Sequence, residues 1–126
     1  YKCNVNIEPE LVTPPLDGNI LAGVTRDSIL GLARSWNEFK VSERKITMPE
    51  IVKAQEEGRL LEMFGAGTAC IVSPIKEIHY RGHNLSVPLD PKDPSSNAGP
   101  ITKKFVDVLV KIQYGEIPHK WSIIVP

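Results

Sequence analysis

Residues 21–36 read LAGVTRDSILGLARSW, and this stretch decides the fold. Its second half places apolar side chains at the spacing of one helix face, namely Ile29, Leu30, Leu32, Ala33 and Trp36. This period predicts a helix from about Thr25 to Trp36, with Thr25 as the helix cap and Asp27 in the first turn. Because a short β-favouring run precedes it at residues 11–13, the chain should pass here from a strand through a turn into the helix.

The chain beyond this helix continues to alternate between strands and helices. Residues 39–44 alternate apolar and polar side chains, which is typical of a half-buried strand. Thr47-Met48-Pro49-Glu50 reads as a capping box and predicts a short helix that stops near Gly58. Pro100 opens a last helix, which Gly115 closes.

The remaining segments are extended or irregular. Further strands are predicted at residues 60–64, 69–74 and 77–80. Residues 81–84 form the hairpin turn that follows, and residues 88–100 form a loop rich in Pro, Asp and Ser. Residues 121–125 finish as a strand or a docked tail. The predicted fold class is therefore mixed α/β (α+β), with two or three helices on a sheet.

The size and charge of the chain limit its functions. It has 126 residues, the size of one ordinary domain, of which 41% are hydrophobic and 24% charged. Fifteen basic residues balance fifteen acidic ones, so no net positive field attracts nucleic acid. No apolar run reaches the roughly 20 residues that span a bilayer. Cys3 and Cys70 form neither a disulfide framework nor a CxxC pair. We therefore expect neither nucleic acid nor a membrane as a partner.

The residues before the first helix have the features of an anion site. The helix start within residues 21–26 presents free backbone N–H groups at the positive end of the helix dipole. Gly23 allows a ligand to approach the backbone closely, and the Thr25 hydroxyl can serve a phosphate oxygen as readily as it caps the helix. An ordinary capped helix after a turn is the alternative and, taken alone, the commoner outcome.

A second stretch of small residues, GAGTA, occupies residues 65–69. Small side chains in a row let the backbone lie against a ligand, and the Thr68 hydroxyl with nearby N–H groups offers a second anion contact. The alternative here is a tight turn between two strands. Neither stretch ends in the glycine-lysine-Ser/Thr of a P-loop, and neither is a GxGxxG motif.

Other residues carry weaker signals. His79 and His83 are four apart but straddle a predicted turn, and without a third ligand they predict no metal site. Glu62 stands in an apolar segment, where an edge position or an ion pair would account for it. No Ser/His/Asp or Cys/His nucleophile arrangement can be assembled from these spacings.

Together these motifs resemble those of a known family. LVTPPLDG at residues 11–18 and LAGVTR at residues 21–26 resemble the second half of the class IV aminotransferase signature. EFKVSER at residues 38–44 and EMFGAGTAC at residues 62–70 narrow the resemblance to the branched-chain aminotransferases, and to their eukaryotic forms in particular. The likeness continues through the tail after residue 112 and so covers nearly all of the chain.

The resemblance implies a pyridoxal 5'-phosphate enzyme of fold type IV that works as a homodimer. Such an enzyme transfers an amino group between leucine, isoleucine or valine and 2-oxoglutarate, so its partners are branched-chain amino acids and 2-oxo acids. Residues 1–126 would be the C-terminal part of the large cofactor-binding domain. The N-terminal domain and the lysine-bearing segment of the family lie upstream of the matched motifs.

The resemblance also assigns roles to the two small-residue stretches. The cofactor-binding residues would be Leu21, Gly23, Val24, Thr25, Gly67 and Thr68. Leu21 would pack against the cofactor ring, while the backbone N–H groups of Val24 and Thr25 would hold the phosphate. Thr68 would also contact the phosphate, and the backbone groups of Thr68 and Ala69 would receive the substrate carboxylate.

The chain departs from the family pattern in three places. The family's cofactor-bearing lysine and the acidic residue at the pyridine nitrogen lie upstream, and the surroundings of Lys2 do not match, so we assign no catalytic residue here. Ser73 stands where eukaryotic relatives often have the second cysteine of a pair with Cys70, so a disulfide switch is not expected. Ala22 replaces a usual proline, which should loosen the turn but keep its N–H donors.

Several hypotheses follow for the chain itself. In the first, it is a portion of a working aminotransferase and is inactive alone for want of the lysine. In the second, it is an inert truncated product that acts as a dimerisation or regulatory module. A third changes the substrate to a D-amino acid or aminodeoxychorismate, against which the eukaryotic-like tail argues. Because the sequence starts at Tyr1, a targeting segment could precede it, and the cytoplasm and the mitochondrion are equally open.

Overall fold

The structure, a computed structural model, describes residues 2–4, 7–68, 71–90, 92–93 and 95–126. Within these residues the chain forms three helices and seven strands, and the strands fall into three separate sheets. The predicted mixed α/β class is confirmed, whereas the expected single sheet is wrong. The reason is that the four later strands have only three or four residues each and pair as two isolated hairpins.

A parallel strand pair with a helix between its strands organises the first third of the chain. The first sheet contains, in this order, β1 (Lys2–Asn4), β2 (Ile7–Thr13) and β3 (Lys40–Glu43). β2 and β3 are parallel and end side by side, with Thr13 opposite Glu43. Helix α1 (Val24–Trp36) makes the crossover that parallel strands require. The predicted order of strand, turn and helix is confirmed.

The bounds of α1 correct the predicted cap. Gly23, rather than Thr25, is the residue before the helix, and its backbone is extended (φ −69, ψ 137). Thr25 is already the second helical residue, because Gly23 supplies the extended backbone that a cap position needs. The predicted end at Trp36 is confirmed, and Asn37 stops the helix in a left-handed conformation (φ 52).

The later elements follow the predicted order, with shifted strand bounds. They are α2 (Met48–Glu56), the hairpin of β4 (Phe64–Ala66) and β5 (Val72–Pro74), the hairpin of β6 (Glu77–Tyr80) and β7 (His83–Ser86), and α3 (Pro100–Gln113). The predicted cap at Thr47 is confirmed, since its hydroxyl accepts a hydrogen bond from the backbone N–H of Glu50 at 3.4 Å. No helix in the described ranges is long and apolar enough to cross a membrane.

Three predicted strand and turn bounds are wrong. Pairing of the first hairpin starts at Phe64 instead of Leu60, and β5 starts at Val72, while Ala69 and Cys70 lie outside the described residues. The second hairpin turns on Arg81 and Gly82 alone, and residues 83–84 belong to β7. Both turn residues have positive φ (48 and 77), a two-residue geometry that matches strand twist and leaves no further turn residue.

Aromatic contacts around Phe105 join three elements into the main core. Its fully buried ring stacks on Trp36 of α1 at a centroid distance of 4.8 Å and meets Phe64 of β4 at 5.7 Å. A second cluster packs α2 against the β6–β7 hairpin, with Ile51, Ala54, Leu60 and Val87 buried together. The chain thus carries its helices on two adjoining apolar clusters.

The C-terminal tail docks on α1 through Trp121 and forms no strand. A Cβ placed on Gly31 of α1 would lie 3.4 Å from Cζ2 of Trp121, so the missing side chain of this glycine makes room for the indole ring. Ile123, Ile124 and Val125 remain exposed. Of the two predicted outcomes for residues 121–125, the docked tail is the observed one.

Candidate functional site

A cavity of about 760 Å³ opens beside the start of α1. The end of β2, the first half of α1, α2 and the β4–β5 hairpin contribute its walls. Four of the six predicted cofactor-binding residues line it, namely Leu21, Gly23, Gly67 and Thr68. The structure therefore brings the two small-residue stretches to one place, although they are far apart in the sequence.

Val24 and Thr25 are the first two residues of α1 and lie in the sequence between the lining residues Gly23 and Arg26. The Val24 side chain is 83% exposed, and neither residue is among those that line the cavity. No side chain in the described part of the chain accepts a hydrogen bond from the N–H group of either residue. The start of α1 thus keeps free donors next to the cavity, as the predicted backbone role requires.

Arg26 attaches the first turn of α1 to the ends of the two parallel strands. Its Nη2 donates to the carbonyl oxygen of Pro14 at 2.9 Å and to Oε1 of Glu43 at 2.8 Å. Among the described residues, its buried Nε–H finds no acceptor. A buried donor that lines a cavity is suited to an acceptor atom of a ligand or to an ordered water.

Glu43 joins two arginines of α1. Arg34, two turns further along α1, donates to the other oxygen of Glu43 at 2.9 Å. The Arg26 guanidinium first, and then that of Arg34, lowers the pKa of Glu43 from its ordinary value of 4.5. Two arginines therefore share one ionised carboxylate near neutral pH. Because Asp27 also lies in the first turn, the helix dipole rather than a net side-chain charge favours an anion at this helix start.

The second stretch forms the end of the β4–β5 hairpin. Gly65 pairs with Ser73 and Ala66 with Val72, after which the Gly67 N–H donates to the carbonyl oxygen of Ile71 at 3.3 Å. Thr68 is exposed at this end and lines the cavity. Ala69, the predicted partner of the substrate carboxylate, lies outside the described residues.

Glu62 is the residue whose position the sequence reasoning missed. It is only 3% exposed, so the expected edge position is wrong. Its carboxylate accepts hydrogen bonds from the backbone N–H groups of Ile101 and Thr102, at 2.9 and 3.0 Å, and from the Thr102 hydroxyl at 2.9 Å. The available signal was a glutamate in an apolar run, but the partner helix begins about 40 residues later.

His79 and His83 belong to the second hairpin, and neither lines the cavity. His79 Nδ1 lies 2.7 Å from Oδ1 of Asn84, and His83 pairs with Tyr80 across the strands. In the described ranges, no three residues of the types His, Cys, Asp and Glu are grouped to hold a metal ion.

Comparison with known proteins gives consistent matches. Residues 4–78 match the family model for amino-transferase class IV. The chain is 56% identical over 123 residues to a branched-chain-amino-acid aminotransferase of Dictyostelium discoideum. The matched residues are 97% of this chain and 32% of that protein. The chain is 46% identical over 126 residues to the cytosolic enzyme of that name from Mus musculus, covering 100% of this chain and 31% of that one. A mitochondrial form from Rattus norvegicus is 49% identical over 116 residues, which are 92% of this chain and 28% of that protein. The chain thus spans about a third of the length of these relatives.

Solved structures agree with the sequence matches. A branched-chain amino acid aminotransferase of Escherichia coli superposes with a TM-score of 0.66 at 27% identity, over 90% of this chain and 32% of that one. A PLP-form (holo-form) of the branched-chain amino acid aminotransferase from Thermobaculum terrenum superposes with a TM-score of 0.59 at 28% identity. The match covers 86% of this chain and 30% of that one. Because the relatives include cytosolic and mitochondrial forms, relatedness favours neither compartment.

Proposed function

This chain belongs to the class IV aminotransferases, and from that premise we propose that it forms the phosphate-facing wall of a branched-chain aminotransferase active site. The complete polypeptide would exchange the amino group of leucine, isoleucine or valine with 2-oxoglutarate, as a homodimer with pyridoxal 5'-phosphate as cofactor. The names of the relatives support the substrate class, and the holo-form among the structural neighbours supports the cofactor. Residues 1–126 would be the C-terminal part of the large cofactor-binding domain.

The single observation that carries the proposal is the meeting of an uncapped helix start with the Gly67–Thr68 loop at one cavity. A phosphate dianion needs several donors that are fixed in place before it binds. The N–H groups of Val24 and Thr25 and the Thr68 hydroxyl are such donors, and the positive end of the α1 dipole favours the anion. The donor set therefore fits the cofactor phosphate.

The remainder of this wall suits a flat ring. Leu21 lines the cavity with a side chain that is 91% exposed, which provides an apolar surface for one face of the ring. Gly23 and Gly67 line the cavity with no side chain of their own, so the backbone can come close to a bound group.

The bound cofactor would supply an electron sink for the bonds at the α-carbon of the amino acid. This chain's residues would hold and orient the reactants: Val24 and Thr25 at the phosphate, Leu21 at the ring. The backbone of Thr68 and Ala69 would receive the substrate carboxylate and so fix the α-carbon in place. We assign no proton transfer to a residue of this chain.

Replacement of Val24 by proline removes one of the proposed donors and little else. Proline is tolerated at the first helical position, and the extended Gly23 before it is compatible with a following proline. In the polypeptide that contains these residues, we expect Val24→Pro to raise the Kd for pyridoxal 5'-phosphate on the order of tenfold, because a hydrogen bond to a charged group is lost. Val24→Ala, which keeps the N–H, should bind as the wild type does.

The same preparations test the substrate class. The wild type should transfer the amino group of leucine, isoleucine and valine to 2-oxoglutarate, and Val24→Pro should do so only at higher cofactor concentration. Equal cofactor affinity in Val24→Pro and Val24→Ala would refute the donor role of this N–H. Turnover of D-amino acids in place of leucine would move the chain to another branch of its family.

A further inference from the structure

Glu62 is a buried carboxylate to which the proposed reaction gives no role. It lies just before β4 and accepts three hydrogen bonds from the first turn of α3. The residue that precedes this helix, Gly99, has no side chain with which to cap it. Glu62 therefore supplies the cap from a distant part of the chain, with its negative charge at the positive end of the helix dipole.

The contact leaves no spare room. A Cβ on Gly99 would overlap the Glu62 carboxylate, so the glycine is needed for the carboxylate to reach the helix. The Thr102 hydroxyl, on a residue 1% exposed, completes the contact from inside the core. Gly99→Ala should therefore displace the carboxylate without changing its charge, whereas Thr102→Val should remove one of its three bonds.

The same contact fixes the base of the β4–β5 hairpin. Directly after Glu62, the carbonyl oxygen of Met63 accepts the N–H of Ile75 at 2.9 Å, and Phe64 lies against Phe105 of α3. Further along, β5 is held by the main core, in which Val72 is buried, whereas Gly65, Ala66 and Thr68 of the other strand and its loop are exposed. The start of β4 at Glu62 and Met63 is therefore a point at which this exposed side of the hairpin is held.

A small change at the base produces a large displacement at the far end. At a rise of about 3.3 Å per residue, Gly67 lies roughly 15 Å along the chain from Glu62, so a tilt of about 5° shifts it by about 1 Å. A displacement of about 1 Å in groups that position a reactant can cost on the order of a hundredfold in rate.

We propose that Glu62 is a positioning residue, which caps α3 and thereby holds Gly67 and Thr68 in place at the cavity. This inference rests on the proposed function, because the groups that the loop would meet are the cofactor phosphate and the substrate carboxylate. A cap that only stabilises α3 would lower the melting temperature and leave the cofactor affinity of the folded protein unchanged.

The experiment separates positioning from stability in the complete polypeptide that contains this chain. Glu62→Gln keeps the size of the side chain but replaces one accepting oxygen by an NH2 group, which cannot accept a hydrogen bond from a helix N–H group. Ile112→Ala is the matched control, because it removes buried apolar contacts at the other end of α3. Two quantities are measured for each variant: the Kd for pyridoxal 5'-phosphate, and amide hydrogen exchange of residues 65–68 without cofactor.

We expect Glu62→Gln to raise the Kd on the order of tenfold and to speed exchange at residues 65–68, since the loop loses its fixed position. Thr102→Val and Gly99→Ala should act in the same direction, and they carry the test if Glu62→Gln does not fold. Ile112→Ala should lower the melting temperature and leave both quantities near the wild-type values.

Two results would overturn the inference, and they are distinguishable. If the wild type binds the cofactor and the three contact variants behave like Ile112→Ala, the positioning role is wrong and the proposed function stands. If the wild type binds no pyridoxal 5'-phosphate, the proposed function fails and the positioning role fails with it.

Discussion

Glu43 connects the first turn of α1 to the sheet through a shared ion pair. Both of its oxygens accept hydrogen bonds from arginines of α1, Arg26 and Arg34, and Arg26 also reaches the carbonyl oxygen of Pro14. Because the Arg26 guanidinium, followed by that of Arg34, lowers the pKa of Glu43, the contact depends on the ionised carboxylate. The placement of the proposed phosphate donors thus depends in part on one carboxylate at the protein surface.

We expect Glu43→Gln to lower the urea midpoint at neutral pH and this difference from the wild type to vanish in acid. The pKa of the folded state lies below that of the unfolded state. The carboxylate therefore contributes fully above its ordinary pKa of 4.5, and this contribution is lost as the pH falls through the folded value. Urea midpoints of wild type and variant at about pH 7, 5 and 3 check this expectation.

Glu56→Gln is the control for this titration. Glu56 is an exposed glutamate of α2, and none of the ion pairs between described residues includes it. Its replacement should change the midpoint little at any pH. A difference for Glu43→Gln that is the same at all three pH values would contradict the assignment.

At the level of elements, α3 contacts both α1 and the β4–β5 hairpin. Phe105 contacts Trp36 of α1 and Phe64 of β4, and Lys104 Nζ lies 4.2 Å from the centroid of the Trp36 ring. Aromatic pairs of this kind stabilise beyond the area they bury. Helix α3 therefore sets the relation between the helix start and the hairpin end that line the cavity.

Phe105→Ala should reduce the free energy of unfolding by about 3–5 kcal/mol, since it leaves a cavity among three elements. Phe105→Leu keeps most of the side-chain volume and should reduce the free energy of unfolding by clearly less. Urea denaturation of both variants, followed by far-ultraviolet circular dichroism, measures the difference. Equal losses in the two variants would contradict the expectation, because the volume that leucine restores would then contribute nothing.

At the scale of the molecule, several large apolar side chains are exposed in the described part of the chain. Leu21 and Val24 are exposed at the start of α1, and Ile123, Ile124 and Val125 in the tail. Exposed apolar groups that lie together mark surfaces that another part of a protein covers. The chain also has a formal net charge of zero and a pI near 7.0, so little charge repulsion opposes association at neutral pH.

We expect the 126-residue chain on its own to self-associate, more strongly near neutral pH than at about pH 9, where net charge keeps molecules apart. Sedimentation velocity over a range of concentrations measures this. Leu21→Ser together with Val24→Ser should weaken association, and the pair Ile123→Ser and Ile124→Ser decides whether the tail contributes. A chain that stays monomeric at all concentrations near pH 7 would contradict the expectation.

Much of the local structure could be predicted from the sequence, because its signals lie within one or two helical turns. The spacing of apolar residues placed α1 and α3, and Thr47 with Glu50 placed the start of α2. The glycines and threonines of the two small-residue stretches likewise indicated where an anion could meet the backbone. These predictions needed no partner from elsewhere in the chain.

Only the tertiary structure decided what holds those stretches in place. Glu62 caps α3 from a position some 40 residues earlier in the chain, and Gly99 leaves room for its carboxylate. Arg26 of α1 likewise donates to Pro14, after β2, and to Glu43 of β3. Local periodicity reports which residues share a face, but it cannot report which distant backbone will need a carboxylate once the faces have packed. The sequence by itself determined the elements and the chemistry of the two stretches, whereas packing decided that they share one cavity, because that depends on contacts between residues far apart in the chain.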